Sequence, residues 1–251
     1  MLIHPTIDKL NSMRLTGMAK ALRAQMENPE IHNLPFEDRL ALIVDMESLE
    51  RESRQLTARL KNAKLRQNAV LEDLDTRPGR GIDRALLASL ATCSWVKKHH
   101  NLLITGATGT GKTWLSCAIS HTACRQGITA VYHRLPTLRQ DLDLARHDGR
   151  YKKVMQSLAK AELIILDDLG LAPMSAEQLR DLLEIIDVRY QKGSTLITSQ
   201  LPVASWHEAL GDPTMADAIL DRVVHNAYKI ELDGVDSMRK LRSKIDATET
   251  L

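Results

Sequence analysis

Two short stretches of the chain carry residue types whose spacing points to phosphate chemistry. The first is Gly106-Ala107-Thr108-Gly109-Thr110-Gly111-Lys112-Thr113, with Trp114 following. This Gly-x4-Gly-Lys-Thr pattern lies between an apolar run, Leu102 to Ile104, and a stretch to Cys124 that reads as a helix. Glycines take backbone angles that a β-carbon resists, so successive N–H groups curl into an anion cradle. The N-terminus of the following helix adds partial positive charge. Lys112 is then placed for the β- and γ-phosphates, and the Thr113 hydroxyl for Mg²⁺. Residues 106–114 are therefore expected to bind a nucleoside triphosphate.

The second stretch is Leu163-Ile164-Ile165-Leu166-Asp167-Asp168, an apolar strand ending in paired carboxylates. Open α/β sheets place their ligands at such strand ends. Asp167 is expected to hold Mg²⁺ through water, and Asp168 to orient and deprotonate the attacking water. Gln200 follows the run Leu196-Ile197-Thr198 and is a candidate to touch the γ-phosphate or that water. Arg222 and Arg239 offer planar cations that stabilise charge on transferring phosphoryl oxygens. Asp167-x-x-Gly170 also fits a GTPase pattern, but the chain contains no Asn-Lys-x-Asp or Thr-Lys-x-Asp to read guanine. Adenine is favoured, with Leu90 to Val96 as the expected wall of its pocket.

These groups need a scaffold, and the pattern of apolar runs supplies one. Strands are expected at Leu102–Thr105, Ile128–His133, Leu163–Leu166, Ser194–Thr198 and Tyr228–Leu232, alternating with helices to Arg125 and over Pro136–Ala145, Arg150–Ala159 and Ser175–Gln191. Such alternation implies a mostly parallel sheet covered on both faces. Residues 6 to 27 read as one amphipathic helix, ended by Asn28-Pro29. A second helical stretch begins at Pro35, with a heptad series Leu42, Leu49, Leu56, Ala63, Val70 joined by Met46, Leu60 and Leu74. Arg77-Pro78-Gly79-Arg80-Gly81 reads as the linker.

Composition narrows the partners. Lys plus Arg number 34 against 32 Asp plus Glu, so a net charge of +2 does not announce nucleic acid; any case for it rests on local clusters. One cluster is Arg51, Arg54, Arg59, Lys61, Lys64 and Arg66; another is Arg139, Arg146, Arg150, Lys152 and Lys153. Either is a candidate to neutralise phosphates of duplex DNA. Aromatic residues are only 3%, which disfavours stacking on single strands. The N-terminus has no signal-peptide pattern, and no apolar run approaches the roughly 20 residues that span a bilayer. Three cysteines suit a reducing cytoplasm. Cys117, His121 and Cys124 share a helical face, expected to pack on the sheet rather than to bind metal.

Further stretches carry a family resemblance. They are Leu15-Thr16-Gly17-Met18, Leu166-Asp167-Asp168-Leu169-Gly170, Ile197-Thr198-Ser199-Gln200-Leu201-Pro202 before Trp206-His207, and Gly211-Asp212-Pro213-Thr214 through Asp217-Ala218-Ile219-Leu220-Asp221-Arg222 to Ala227. With the phosphate loop they resemble an AAA+ ATPase, specifically the IstB-like transposition helper family, related to DnaC helicase loaders. The resemblance implies an α/β phosphate-loop NTPase at residues 77–251, a helical DNA-binding and assembly domain at residues 1–76, and a reduced or absent lid. It makes Gln200 the sensor at the end of the fourth strand, Arg222 the arginine finger offered to a neighbouring subunit and Arg239 the second sensor. Asp168 stands where most members have Glu, a shorter base suggesting slow hydrolysis. The implied protein is a Mg²⁺-dependent ATPase that forms homo-oligomers on double-stranded DNA with ATP and assists a partner transposase in target selection. Two other readings stay open: a DnaC-like loader of a replicative helicase, and a monomeric small-molecule kinase indifferent to DNA.

Overall fold

Runs such as Leu102-Leu103-Ile104 and Leu163-Ile164-Ile165-Leu166 have no polar face, which suits strands covered from both sides. The computed structural model describes residues 5–76 and 79–234. Five strands occur in it: β1 (Asn101–Gly106), β2 (Ala130–Arg134), β3 (Leu163–Leu169), β4 (Ser194–Ser199) and β5 (Ala227–Leu232). They pair in parallel in the order β2-β3-β4-β1-β5. The helices are α1 (Pro5–Ser12), α2 (Thr16–Glu27), α3 (Phe36–Ala63), α4 (Arg84–Ala91), α5 (Ser94–Lys97), α6 (Lys112–Arg125), α7 (Leu135–His147), α8 (Tyr151–Lys160), α9 (Ala176–Arg189), α10 (Trp206–Leu210) and α11 (Pro213–Val224). The expected α/β sheet architecture is present, with every anticipated strand in place. Among the described residues no helix is long and apolar enough to cross a membrane.

The chain divides into two compact units, Met1–Ala58 and Arg59–Leu251. The division precedes the expected boundary at residue 76, because residues 59–76 are tied to the sheet unit. Arg59 Nε donates to the Cys124 carbonyl at 2.9 Å, near the end of α6, Glu72 pairs with Arg125 at 2.6 Å, and Ala63 and Ala69 are buried. The expected heptad series also stops early. Lys64 takes a left-handed φ of +50°, so α3 ends at Ala63 and Val70 and Leu74 lie beyond it. Cys117 and Cys124 are buried on α6, the face expected to pack on the sheet.

In the first unit, residues 6–27 form two helices rather than one, because Arg14 turns the chain with φ +61°. Leu42, Met46 and Leu49, counted as core from their heptad spacing, are exposed, whereas Glu47 is buried. Its carboxylate accepts N–H groups of Gly17 (2.8 Å) and Met18 (3.2 Å), filling donors that the start of α2 leaves open. Arg51, paired with Glu47 at 2.7 Å, is the main cause that holds its carboxyl below the ordinary range. Gly17 sits so close that an added Cβ would lie 2.6 Å from both Glu47 Cα and the Met46 carbonyl oxygen. Gly17→Ala is therefore expected to destabilise this unit by about 1–3 kcal/mol, read as a lower denaturant midpoint for the intact chain. An unchanged midpoint would contradict that packing.

Candidate functional site

The phosphate loop joins β1 to α6 within the second unit. Gly106 has φ +143°, and a Cβ there would stand 2.3 Å from the Leu232 carbonyl oxygen, so a residue with a side chain would not fit against the end of β5. Gly111, at φ +101°, turns the chain into α6. Buried Lys112 donates from Nζ to the Gly106 and Ala107 carbonyls at 2.7 and 2.8 Å, placing its ammonium over the loop.

The paired carboxylates sit in an irregularity of the sheet. The β3–β4 register shifts between Leu166 and Leu169, a bulge of the kind that re-aims side chains near active sites. Asp168 takes φ +70° there, a conformation costly for a residue with a β-carbon, and its N–H is held by Thr198 Oγ1 at 3.1 Å. The two acids consequently meet different neighbours.

Asp167 is fully buried. It accepts the Thr113 hydroxyl (3.1 and 3.0 Å to its two oxygens), the Tyr132 hydroxyl at 2.6 Å and the Thr198 hydroxyl. Arg66 Nη1 lies 3.9 Å from its Oδ2. Burial, then the bond to Asp167, pushes the Tyr132 phenol well above its ordinary value, so Tyr132 stays a donor. A hydroxyl and a carboxylate held side by side make a hard oxygen donor set, which fits Mg²⁺ with its remaining positions filled by water and phosphate.

Asp168 faces a cavity of about 420 Å³ that opens over the loop. Arg134, at the end of β2, donates from Nε to Asp168 Oδ2 at 2.7 Å. Gln200, across the cavity mouth, accepts the Thr108 hydroxyl at 2.7 Å. Thr108, Gly109, Gly111, Lys112, Thr113, Asp168 and Gln200 thus line one space. Leu74, Ile82, Trp114 and Leu232 add an apolar lining to the same cavity. Leu90 to Val96, expected to form the adenine wall, are absent from this lining: Leu90, Trp95 and Val96 are core residues, and Trp95 Nε1 is spent on the Leu90 carbonyl at 3.1 Å.

Arg80, in the expected linker, lines the same cavity. Arg80 donates to the Asp75 carbonyl at 2.5 Å and to the Thr110 carbonyl of the loop at 3.0 Å. A Cβ on Gly81 would lie 2.1 Å from the Glu231 carbonyl oxygen, so the segment runs hard against β5.

Arg222 lies at the opposite end of the sheet. Its carbonyl accepts Asn101 Nδ2 at 3.2 Å, at the start of β1, whereas the loop leaves from the end of that strand. Its guanidinium pairs with Asp187 at 2.8 Å and bonds the Ala218 carbonyl at 2.8 Å. Arg239 lies outside the described residues.

The basic clusters do not form continuous stripes. Arg51 and Arg54 share Glu47, Arg59 holds the end of α6, and Arg66 turns to Asp167. Arg139 is buried, bonded to the Pro173 carbonyl at 2.9 Å and Gln178 at 3.2 Å, so it is a tie within the fold rather than a surface cation. Arg146 pairs with Asp181 and Glu177 and stacks 4.5 Å over the Tyr151 ring. Arg150 pairs with Asp148. Lys61, Lys64, Lys152 and Lys153 remain exposed.

A family model described as IstB-like ATP binding protein matches residues 8–247. A relative from Sinorhizobium fredii, named as an insertion sequence ATP-binding protein, is 50% identical over 244 residues, spanning 97% of this chain and 100% of the relative. The correspondingly named protein of insertion sequence IS1162 from Pseudomonas fluorescens is 47% identical over 203 residues, covering 80% of this chain and 88% of its own. Among solved structures, DnaI superposes with TM-score 0.59 at 24% identity, over 66% of this chain and 91% of that one. The DnaC helicase loader superposes with TM-score 0.51 at 21% identity, over 70% and 99%.

Proposed function

Since the chain belongs to the IstB-like ATP-binding protein family, we propose that it is a Mg²⁺-dependent ATPase that assembles on duplex DNA with ATP shared between subunits and assists a transposase in choosing target DNA. The separation of Arg222 from the phosphate loop carries this reading. Strand β1 runs Asn101–Gly106, so at ~3.3 Å per residue the two ends stand roughly 16 Å apart. A guanidinium on one end of the sheet serves a phosphate on the other only when a second subunit brings its own loop to it.

In this reading the glycine loop and the start of α6 hold the phosphates, Lys112 leaves its loop carbonyls for the β- and γ-oxygens, and the apolar lining takes adenine. Thr113 and Asp167 are the residues that would hold Mg²⁺, which neutralises phosphate charge when bound. Asp168 takes the proton of the attacking water, Gln200 orients that water against the γ-phosphate, and Arg222 of the next subunit balances charge on the transferring oxygens. Exposed Lys61, Lys64, Lys152 and Lys153 are the cations left to meet DNA phosphates. Duplex DNA should raise ATP turnover and promote assembly. Turnover raised by single strands alone would favour helicase loading, and phosphorylation of a metabolite by a monomer would favour the kinase reading.

The Arg134 contact predicts a brake. A carboxylate oxygen that already accepts a guanidinium N–H is not open to the attacking water until that contact lets go. Arg134→Gln is expected to raise ATP turnover without DNA by a few-fold, the scale of a partly exposed ion pair, and to shrink stimulation by DNA. Steady-state phosphate release measures both. Lower turnover without DNA would mean that Arg134 helps the reaction instead.

A further inference from the structure

Arg66 was expected to face DNA, yet it is directed at the metal-binding carboxylate. Its guanidinium lies beside the Tyr132 hydroxyl, Tyr132 donates to Asp167 Oδ2 at 2.6 Å, and Nη1 of Arg66 stands 3.9 Å from that oxygen. The groups in this chain come from three separate parts of the second unit: the segment after α3, the edge strand β2 and the end of β3. Asp167 is 0% exposed while the Arg66 side chain is 45% exposed, so the carboxylate is fixed and the cation is free to leave.

We propose that Arg66 is a positioning residue for Asp167, a tethered cation that holds the carboxylate through Tyr132 and competes with Mg²⁺ for it. This rests on the nucleotide reading above. The physical argument is one of charge. A carboxylate removed from water needs a counter-charge as well as donors; the hydroxyls of Thr113, Thr198 and Tyr132 are neutral, and the guanidinium brings charge. A divalent cation beside Asp167 supplies more charge in the same place and repels the guanidinium. The exposed stem of Arg66 lets its guanidinium swing to solvent while the backbone that follows α3 stays tied to the sheet unit. Gln67, the next residue, lines the cavity, so the guanidinium moves at the edge of the nucleotide pocket.

The test is a Mg²⁺ titration of the full chain with a fluorescent, non-hydrolysable ATP analogue, read by anisotropy. Removing a partly screened competing charge should lower the Mg²⁺ concentration at half-maximal binding by about threefold to tenfold in Arg66→Gln. Arg66→Lys, which keeps the charge, should stay nearer the natural chain. Tyr132→Phe keeps the guanidinium but cuts its tether, and should shift the midpoint in the same direction as Arg66→Gln. A purely structural role for Arg66 would leave the midpoint in place or raise it, and either result in both Arg66→Gln and Tyr132→Phe overturns the proposal. Failure of the natural chain to bind the analogue at any Mg²⁺ concentration would instead overturn the nucleotide reading, and this assignment with it.

Discussion

Arg222→Ala is expected to lower DNA-stimulated ATP turnover by about 10³-fold or more, the scale of a cation that balances charge on a transferring phosphoryl group. Its backbone stands beside Asn101, far from the cavity of its own chain. Nucleotide binding to the isolated subunit should therefore remain, since no part of the Arg222 side chain lines that cavity. Mixing supplies the discriminating arm. Lys112→Ala removes the ammonium of the loop but keeps Arg222, so the two variants together regenerate some intact sites, each with one residue from either chain. Turnover in the mixture above the sum of the two parts supports a shared site. A mixture as inactive as its components, or an Arg222→Ala chain that turns over normally, would contradict the assignment.

Asp168→Asn is expected to lower turnover by about 10²- to 10⁴-fold, the range of a lost general base. Asparagine keeps the shape of the side chain and an oxygen to accept Arg134, so the bulge and the cavity should survive. Nucleotide binding and ATP-dependent assembly should persist, and the assemblies should outlive those of the natural chain because the γ-phosphate is not removed. Single-turnover hydrolysis measured alongside filter binding of ATP separates the two effects. Loss of ATP binding itself would assign Asp168 to the pocket rather than to the chemistry.

That the phosphate loop, the acidic pair and Gln200 come together was legible in the sequence because their signals are local. The phosphate loop is one contiguous turn, and Asp167-Asp168 and Gln200 end apolar runs that become β3 and β4. Knowing that β4 lies between β1 and β3 explains why Gln200 reaches Thr108. Arg134 and Tyr132 were missed because their role depends on β2 pairing with β3, which brings Arg134 opposite Asp167. An Arg ending a strand was the available signal, and it means little until strand order is known. Leu74 and Ile82, from the segment before α4, meet Leu232 from the end of β5 in one lining, so no local spacing reveals them. Leu74 had a competing explanation in the heptad series, which the left-handed turn at Lys64 cut short.

The helical unit shows the opposite error, an apolar period read as core. The buried side of α3 is centred on Glu47, whose carboxylate caps α2 against Gly17. Here the buried carboxylate, with its partners satisfied as a buried polar group requires, marks the face that packs, and the hydrophobic repeat does not. Glutamate looks like surface in a linear reading, and only the close approach at Gly17 discloses its position.

The decisive measurement is sedimentation of the full chain with ATP, Mg²⁺ and a long double-stranded fragment, compared with the same mixture containing ADP. Large protein–DNA assemblies should form with ATP and dissolve with ADP, and Arg222→Ala should fail to form them. A chain that sediments as a single subunit in both nucleotides, or binds the fragment equally with and without ATP, would contradict it.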